Sequence, residues 1–173
     1  MKSIFGRNAL FVFAAVFIFS CSGQSILFRQ AARATTIHVD EFDGELFRIA
    51  QNARNTLNIF FRHQNRPETG EGNFSVKYAF PVDANDDISM EQVWIGDIVF
   101  REGRYYGIVT STPIYITGVG RGDRVNFNAD LITDWMFTRN DRIIGGQSIR
   151  YLLERIPEYL RTDGQRRTLQ MFE

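Results

Sequence analysis

The chain has 173 residues, 44% of them hydrophobic, with 20 basic and 20 acidic side chains and one cysteine. That length and apolar content suit a single globular domain and exclude a disordered chain, and the balanced charge offers no basic face for nucleic acid. One cysteine excludes an internal disulfide, and two histidines leave no ordinary zinc set, so neither a metal nor another cofactor is expected.

Residues 1–21 have the pattern of a processing segment. Lys2 and Arg7 form a basic start, and Ala9 to Phe19 is an uninterrupted apolar run. The run is about half of the ~20 residues that a spanning helix requires, which predicts a signal-peptide core. It ends in Ile18-Phe19-Ser20-Cys21, which resembles the lipobox of bacterial lipoprotein signal peptides. The resemblance implies that Cys21 carries the lipid that anchors the chain to a bacterial envelope membrane. Ser22, where Asp would signal retention, implies the outer membrane, facing the periplasm. Acyl chains, at about 0.8 kcal/mol per buried CH₂, would hold a domain there. The alternative is an ordinary signal peptide, or an uncleaved anchor, with an incidental cysteine. Loss of Lys2 and Arg7 would leave 18 basic against 20 acidic residues, and Lys77 would be the only lysine.

Residues 22–39 lack periodicity and fit a tether. A single domain is expected over 40–164. Asp40 or Asp43 caps an amphipathic helix on which Phe42, Leu46, Ile49, Ala53, Leu57 and Phe60 share a face, ending near Arg62. Phe74, Val76, Tyr78 and Phe80 alternate as in a strand, with Ser75, Lys77 and Ala79 on the opposite face. Asp83 to Asp87 resembles a calcium loop only in part. Ile88 stands where such a loop needs Gly and Trp94 where it needs Glu, so a turn is expected.

Strands follow at Val93–Phe100 and Tyr105–Thr110, joined by a hairpin through Gly103, then at Arg124–Phe127, Leu131–Thr138 and Arg142–Ile144. Ile149, Leu152, Leu153, Ile156 and Leu160 mark a second amphipathic helix, capped by Ser148 and kinked or restarted at Pro157, with Gly164 beyond its end. Residues 165–173 are expected to fray. The pattern predicts an α+β fold: a small antiparallel sheet or partly open barrel flanked by an N-terminal and a C-terminal amphipathic helix.

Catalytic sets are sparse. No G-x-S-x-G elbow is present, and Gly118-x-Gly120-x-Gly122 has Asp123 where a phosphate loop needs its third glycine. Glu91 and Asp134, each near a tryptophan, are the candidate carboxylates for acid/base work on an envelope polymer. Their competing role is structural hydrogen bonding. Trp94, Trp135, Tyr105, Tyr106 and Tyr115 are candidates for a recognition face, with core packing as the alternative.

Glu91-Gln-Val-Trp94, the Phe100–Gly107 hairpin, Gly122-Asp123-Arg-Val125, Ile132-Thr-Asp134-Trp135 and Gly145-Gly146-Gln-Ser148 together resemble the YegJ-like family of bacterial domains of unknown function, over about 75–157. The resemblance implies a fold and no assigned reaction. The leading expectation is a non-catalytic binding or protein-interaction module with a partner in the envelope. An envelope hydrolase using Glu91 and Asp134 is the alternative.

Overall fold

β1 (Glu71–Pro81) is the centre of the sheet, pairing antiparallel with β2 (Met90–Arg101) on one side and β5 (Ile132–Arg139) on the other. β3 (Arg104–Val109) and β4 (Arg124–Phe127) extend it beyond β2, and β6 (Arg142–Gly145) beyond β5. The order β4-β3-β2-β1-β5-β6 leaves the sheet open, which decides between the sheet and the barrel. The computed structural model describes residues 43–82 and 89–172. Cys21, the 22–39 tether and the acidic turn at 83–87 lie outside them. No helix among the described residues is long and apolar enough to cross a membrane.

Strand alternation sorts the side chains of β1 onto two faces. Val76 and Tyr78 join Leu57, Phe60, Ile95 and Phe137 in the larger core, with Phe74 and Phe80 packed against it. Phe60, with no exposed surface, is worth roughly 2–3 kcal/mol of burial there. It belongs to α2 (Leu57–Asn65), which follows α1 (Gly44–Asn55). The single helix expected from periodicity is broken at Thr56, where φ is −110° and ψ 9°. Thr56 Oγ1 donates to Asn52 O, competing with the helical backbone, and accepts from Trp135 Nε1 at 3.0 Å, which fixes the break against the sheet. Asp43 caps α1 by accepting from Glu45 N and Leu46 N.

On the opposite face, α3 (Gln147–Arg155) and α4 (Asp163–Met171) flank a smaller core of Trp94, Met136, Ile143 and Ile149. Two expectations change here, the cap and the tail, while the restart expected at Pro157 is found. Gly146, at φ 65°, takes the cap position expected of Ser148, which lies within α3. α3 stops at Arg155, and Pro157 begins a separate 3₁₀ turn over Glu158–Leu160. The expected frayed tail is α4. Its Thr162–Gln165 capping box satisfies the first turn, and Met171 and Phe172 pack on the smaller core.

Three irregularities interrupt the ladders: one leaves Thr133 of β5 extra between Lys77↔Asp134 and Tyr78↔Ile132, and the other two are bulges that each hold a non-glycine residue at positive φ. Between Gly72↔Thr138 and Ser75↔Met136, Asn73 takes φ 54°; between Gly96↔Ile108 and Val99↔Tyr106, Asp97 takes φ 49°. The other described non-glycine residues with positive φ, Glu102, Asn140 and Asp141, sit in hairpin turns. Asn73 and Asp97 therefore stand apart as left-handed residues inside strands.

Candidate functional site

Lys77 of β1 lies opposite Trp94 of β2 and Asp134 of β5, so all three project toward α3. Its Nζ donates to Ser148 Oγ at 2.6 Å, and Ser148 Oγ donates to Asp134 Oδ2 at 2.7 Å. Asp134 Oδ2 also accepts from Ser148 N, and Oδ1 from Trp135 N, both at 2.8 Å. The Lys77 ammonium lies 5.2 Å from the Trp94 ring centroid. Asp134 thus does from β5 what a cap does from within a helix: it satisfies a free N–H at the start of α3.

Lys77, Asp134 and Ser148 are only 2–3% exposed. Burial pushes the Lys77 ammonium down to about 8, with the Asp134 charge only partly offsetting it. Burial likewise raises the Asp134 carboxyl, against the opposing pull of Lys77 and of the Ser148 and Trp135 hydrogen bonds. A serine beside a low-pKa lysine is chemically a nucleophile–base pair. Here the serine proton is directed to Asp134 and all three groups are sealed beneath α3. The arrangement fastens the helix to the sheet.

Glu91 is 1% exposed and faces the opposite side of the sheet. Its Oε1 accepts from Ile114 N at 2.6 Å, and its Oε2 from Tyr115 N and Ile116 N at 2.8 and 2.9 Å. The carboxylate gathers the N–H groups of an irregular loop that no ladder satisfies. Glu91 and Asp134 are thus separately committed, and neither lines the cleft described below.

His63, Glu68 and Glu71 bring potential ligand atoms within 4.8 Å of one another. Arg139 already donates to Glu71 Oε1 from Nε at 2.9 Å and from a terminal nitrogen at 2.6 Å. A fixed guanidinium among the ligands opposes a divalent cation, so this cluster is best described as an ion-pair network. Burial disfavours the Glu71 charge. The Glu68 N–H, Arg139 and His63 outweigh it and hold the carboxyl below its ordinary range.

The open part of the sheet is different. Over β1, β2 and β3, and reaching β5 and β6, lies a cleft of about 950 Å³ lined by Asn73, Ser75, Gly96, Asp97, Thr110 and Arg121, with Trp94, Met136 and Ile143 on its apolar side. A Cβ on Gly96 would lie 3.2 Å from Thr110 Cγ2 and 3.6 Å from Ser75 Oγ, so bare backbone forms part of the floor. Asn73 Nδ2 donates to Thr138 Oγ1, which leaves its Oδ1 available.

The aromatic candidates divide. Trp94 is 2% exposed and lines the cleft only in part; Trp135 packs near Phe60 and Phe137, its Nε1 held by Thr56. Tyr105 stacks on Phe61 at 4.8 Å, and Tyr115 is held through its backbone by Glu91. Tyr106 is half-buried on β3, opposite Val99. These five do not form one face. Sequence reasoning missed Lys77 and the Ser148 network, although an isolated lysine on the second face of an otherwise apolar strand was the available signal. It also missed Asn73 and Asp97, because bulges leave little trace in composition.

No solved structure matches the chain. It is 33% identical over 130 residues to a putative ankyrin repeat protein of Neisseria meningitidis serogroup B, covering 73% of this chain and 51% of that protein. It is 31% identical over 81 residues to the uncharacterized protein YegJ of Escherichia coli K12, covering 47% and 53%. The chain spans about half the length of these curated relatives. The model of the bacterial family described as "Uncharacterized protein conserved in bacteria (DUF2314)" matches residues 43–166, from the cap of α1 into α4, and the chain belongs to that family.

Proposed function

We propose that this domain is a non-catalytic binding module, tethered through lipid on Cys21 to a bacterial envelope membrane, with its cleft turned to the periplasm.

 The observation that carries this reading is the cleft itself, which combines an apolar side, free polar groups and no nucleophile–base pair among its lining residues. The hydrolase alternative needs a carboxylate that meets substrate, and the oxygens of Glu91 and Asp134 are spent on backbone and side-chain donors inside the fold. The anchor rests on the Ile18-Phe19-Ser20-Cys21 pattern. A protein partner in the envelope fits a cleft that is open along one side of the sheet.

The test of binding is a titration of the ¹⁵N-labelled full chain in detergent micelles with panels of envelope peptides and glycans. Saturable shifts at Gly96 and Thr110 are expected. Turnover of any of these compounds that is lost in Glu91→Gln or Asp134→Asn, without a change in melting temperature, would favour the hydrolase instead.

A further inference from the structure

Resting on the binding-module reading, we propose that the cleft takes a short peptide of about three residues with both termini free, its ammonium at Asp97 and Asn73 and its carboxylate at Arg121. Three observations converge on this ligand class.

The first is the backbone. A non-glycine residue at positive φ inside a strand costs on the order of 1 kcal/mol, and bulges of this kind re-aim side chains beside binding sites. The two described residues of this type inside strands, Asn73 on β1 and Asp97 on β2, both line this cleft. Each contributes an oxygen acceptor: the Asn73 carbonyl, whose amide nitrogen is occupied by Thr138, and the Asp97 carboxylate. Acceptors placed side by side on neighbouring strands suit a cationic donor with several N–H groups.

The second is an unspent polar group in the floor. Ser75 is 9% exposed and lines the cleft, and its hydroxyl has no hydrogen-bond partner among the described residues. Thr110 and Thr138, by contrast, donate to Trp94 O and Gly72 O. The hydroxyl opens onto the cleft and is free to meet a ligand, and a peptide group supplies both a donor and an acceptor.

The third is charge. Asp97 and Arg121 are exposed and form no ion pair with each other or with any other described residue. Gly122 N donates to Val109 O, which puts Arg121 beyond the outer side of β3, while Asp97 sits on β2. Two strand spacings, about 10 Å, separate them across the sheet, and the long Arg121 side chain takes up the further offset of roughly two to three residues along it. An extended tripeptide spans about 10 Å from amino to carboxyl terminus. A central apolar side chain would then face Trp94, Met136 and Ile143.

The experiment titrates the ¹⁵N-labelled full chain, in detergent micelles, with Ala-Leu-Ala, its N-acetyl form and its C-terminal amide. Methylammonium and acetate serve as single-charge probes. Saturable shifts at Gly96 and Asp97 are expected with the free tripeptide, weakened about tenfold by either block and about tenfold by Asp97→Asn or Arg121→Gln. Asp97→Gly should weaken binding equally while raising the melting temperature, because glycine adopts the left-handed bulge without strain. Equal binding of the blocked peptides, or unchanged binding by Asp97→Asn, would overturn the proposed ligand class and leave the module reading standing. Absence of any shift with all five probes would overturn the ligand class, and failure of the wider envelope panels as well would remove the module reading.

Discussion

Lys77 Nζ lies 2.6 Å from Ser148 Oγ, joining the central strand to the start of α3 across 71 residues of chain. Together with Asp134 it forms a buried charge pair bridged by a hydroxyl. Taking one charge away leaves the other buried and uncompensated. Lys77→Met or Asp134→Asn alone should cost about 3–5 kcal/mol in urea unfolding, and the double substitution less than either single one. Additive losses would show that the two groups are independent.

The same pair sets a pH response. Between about 8, where Lys77 loses its proton in the folded state, and 10.5, where it does so unfolded, the unfolded chain binds more protons. Stability contributed by this group therefore rises with pH through that window, by up to roughly 3 kcal/mol. Comparing unfolding of the native chain and Lys77→Met from pH 7 to 10.5 isolates it. The native chain should gain relative to the variant.

Glu91 makes a separate prediction. Three N–H groups converge on its carboxylate, and glutamine would replace one acceptor oxygen with a donor facing donors. Glu91→Gln should destabilise by about 2–4 kcal/mol. Amide exchange at Ile114, Tyr115 and Ile116 should accelerate more than exchange in β1. Uniform acceleration throughout the sheet would contradict a local clamp.

Glu71 should act at the acid end. Its carboxyl is held below the ordinary value of 4.5 in the folded state, so its contribution is fully present above that pH and is lost as pH falls through the lowered folded value. Glu71→Gln should melt earlier than the native chain at neutral pH, and the gap should close on acidification below about 4.5. Thermal melts from pH 7 to 3 measure it.

Gly107 faces the Asp97 bulge across the β2–β3 pair. A Cβ there would lie 2.4 Å from Ile95 Cγ2 and 2.8 Å from Gly96 O. Gly107→Ala should cost about 1–3 kcal/mol by overpacking and displace the bulge, which amide shifts at Gly96 and Asp97 would report.

The anchor has its own test. Metabolic labelling with palmitate should mark the native chain and leave Cys21→Ser unlabelled. Label persisting in the variant would sink the assignment.

Local pattern made most of the fold legible. Phe74 to Phe80 alternate because one face meets Phe60, and the Asn140 turn pairs β5 with β6 as their spacing suggests. The break at Thr56 was hidden because it depends on Trp135, distant in sequence, as well as on the threonine itself. α4 was missed because its short apolar contacts, Met171 and Phe172, carry too little periodicity to stand out from a polar tail. The cleft was less legible still. Its polar groups sit on residues whose direction is set by bulges, and the alternation rule fails at a bulge.

The strand order also constrains how the molecule assembles. β1 through β4 form a meander of neighbours, and β5 with β6 forms a hairpin, so each half can zip from local contacts. The seam between β1 and β5 joins residues far apart in the chain, such as Val76 and Trp135, and its closure bears the largest loop entropy. Asn73 takes its place only in that seam, whereas Asp97 belongs to the meander. A chain halted before the seam closes would hold one of the two bulges and have no complete cleft, so ligand capture would report the last step of folding.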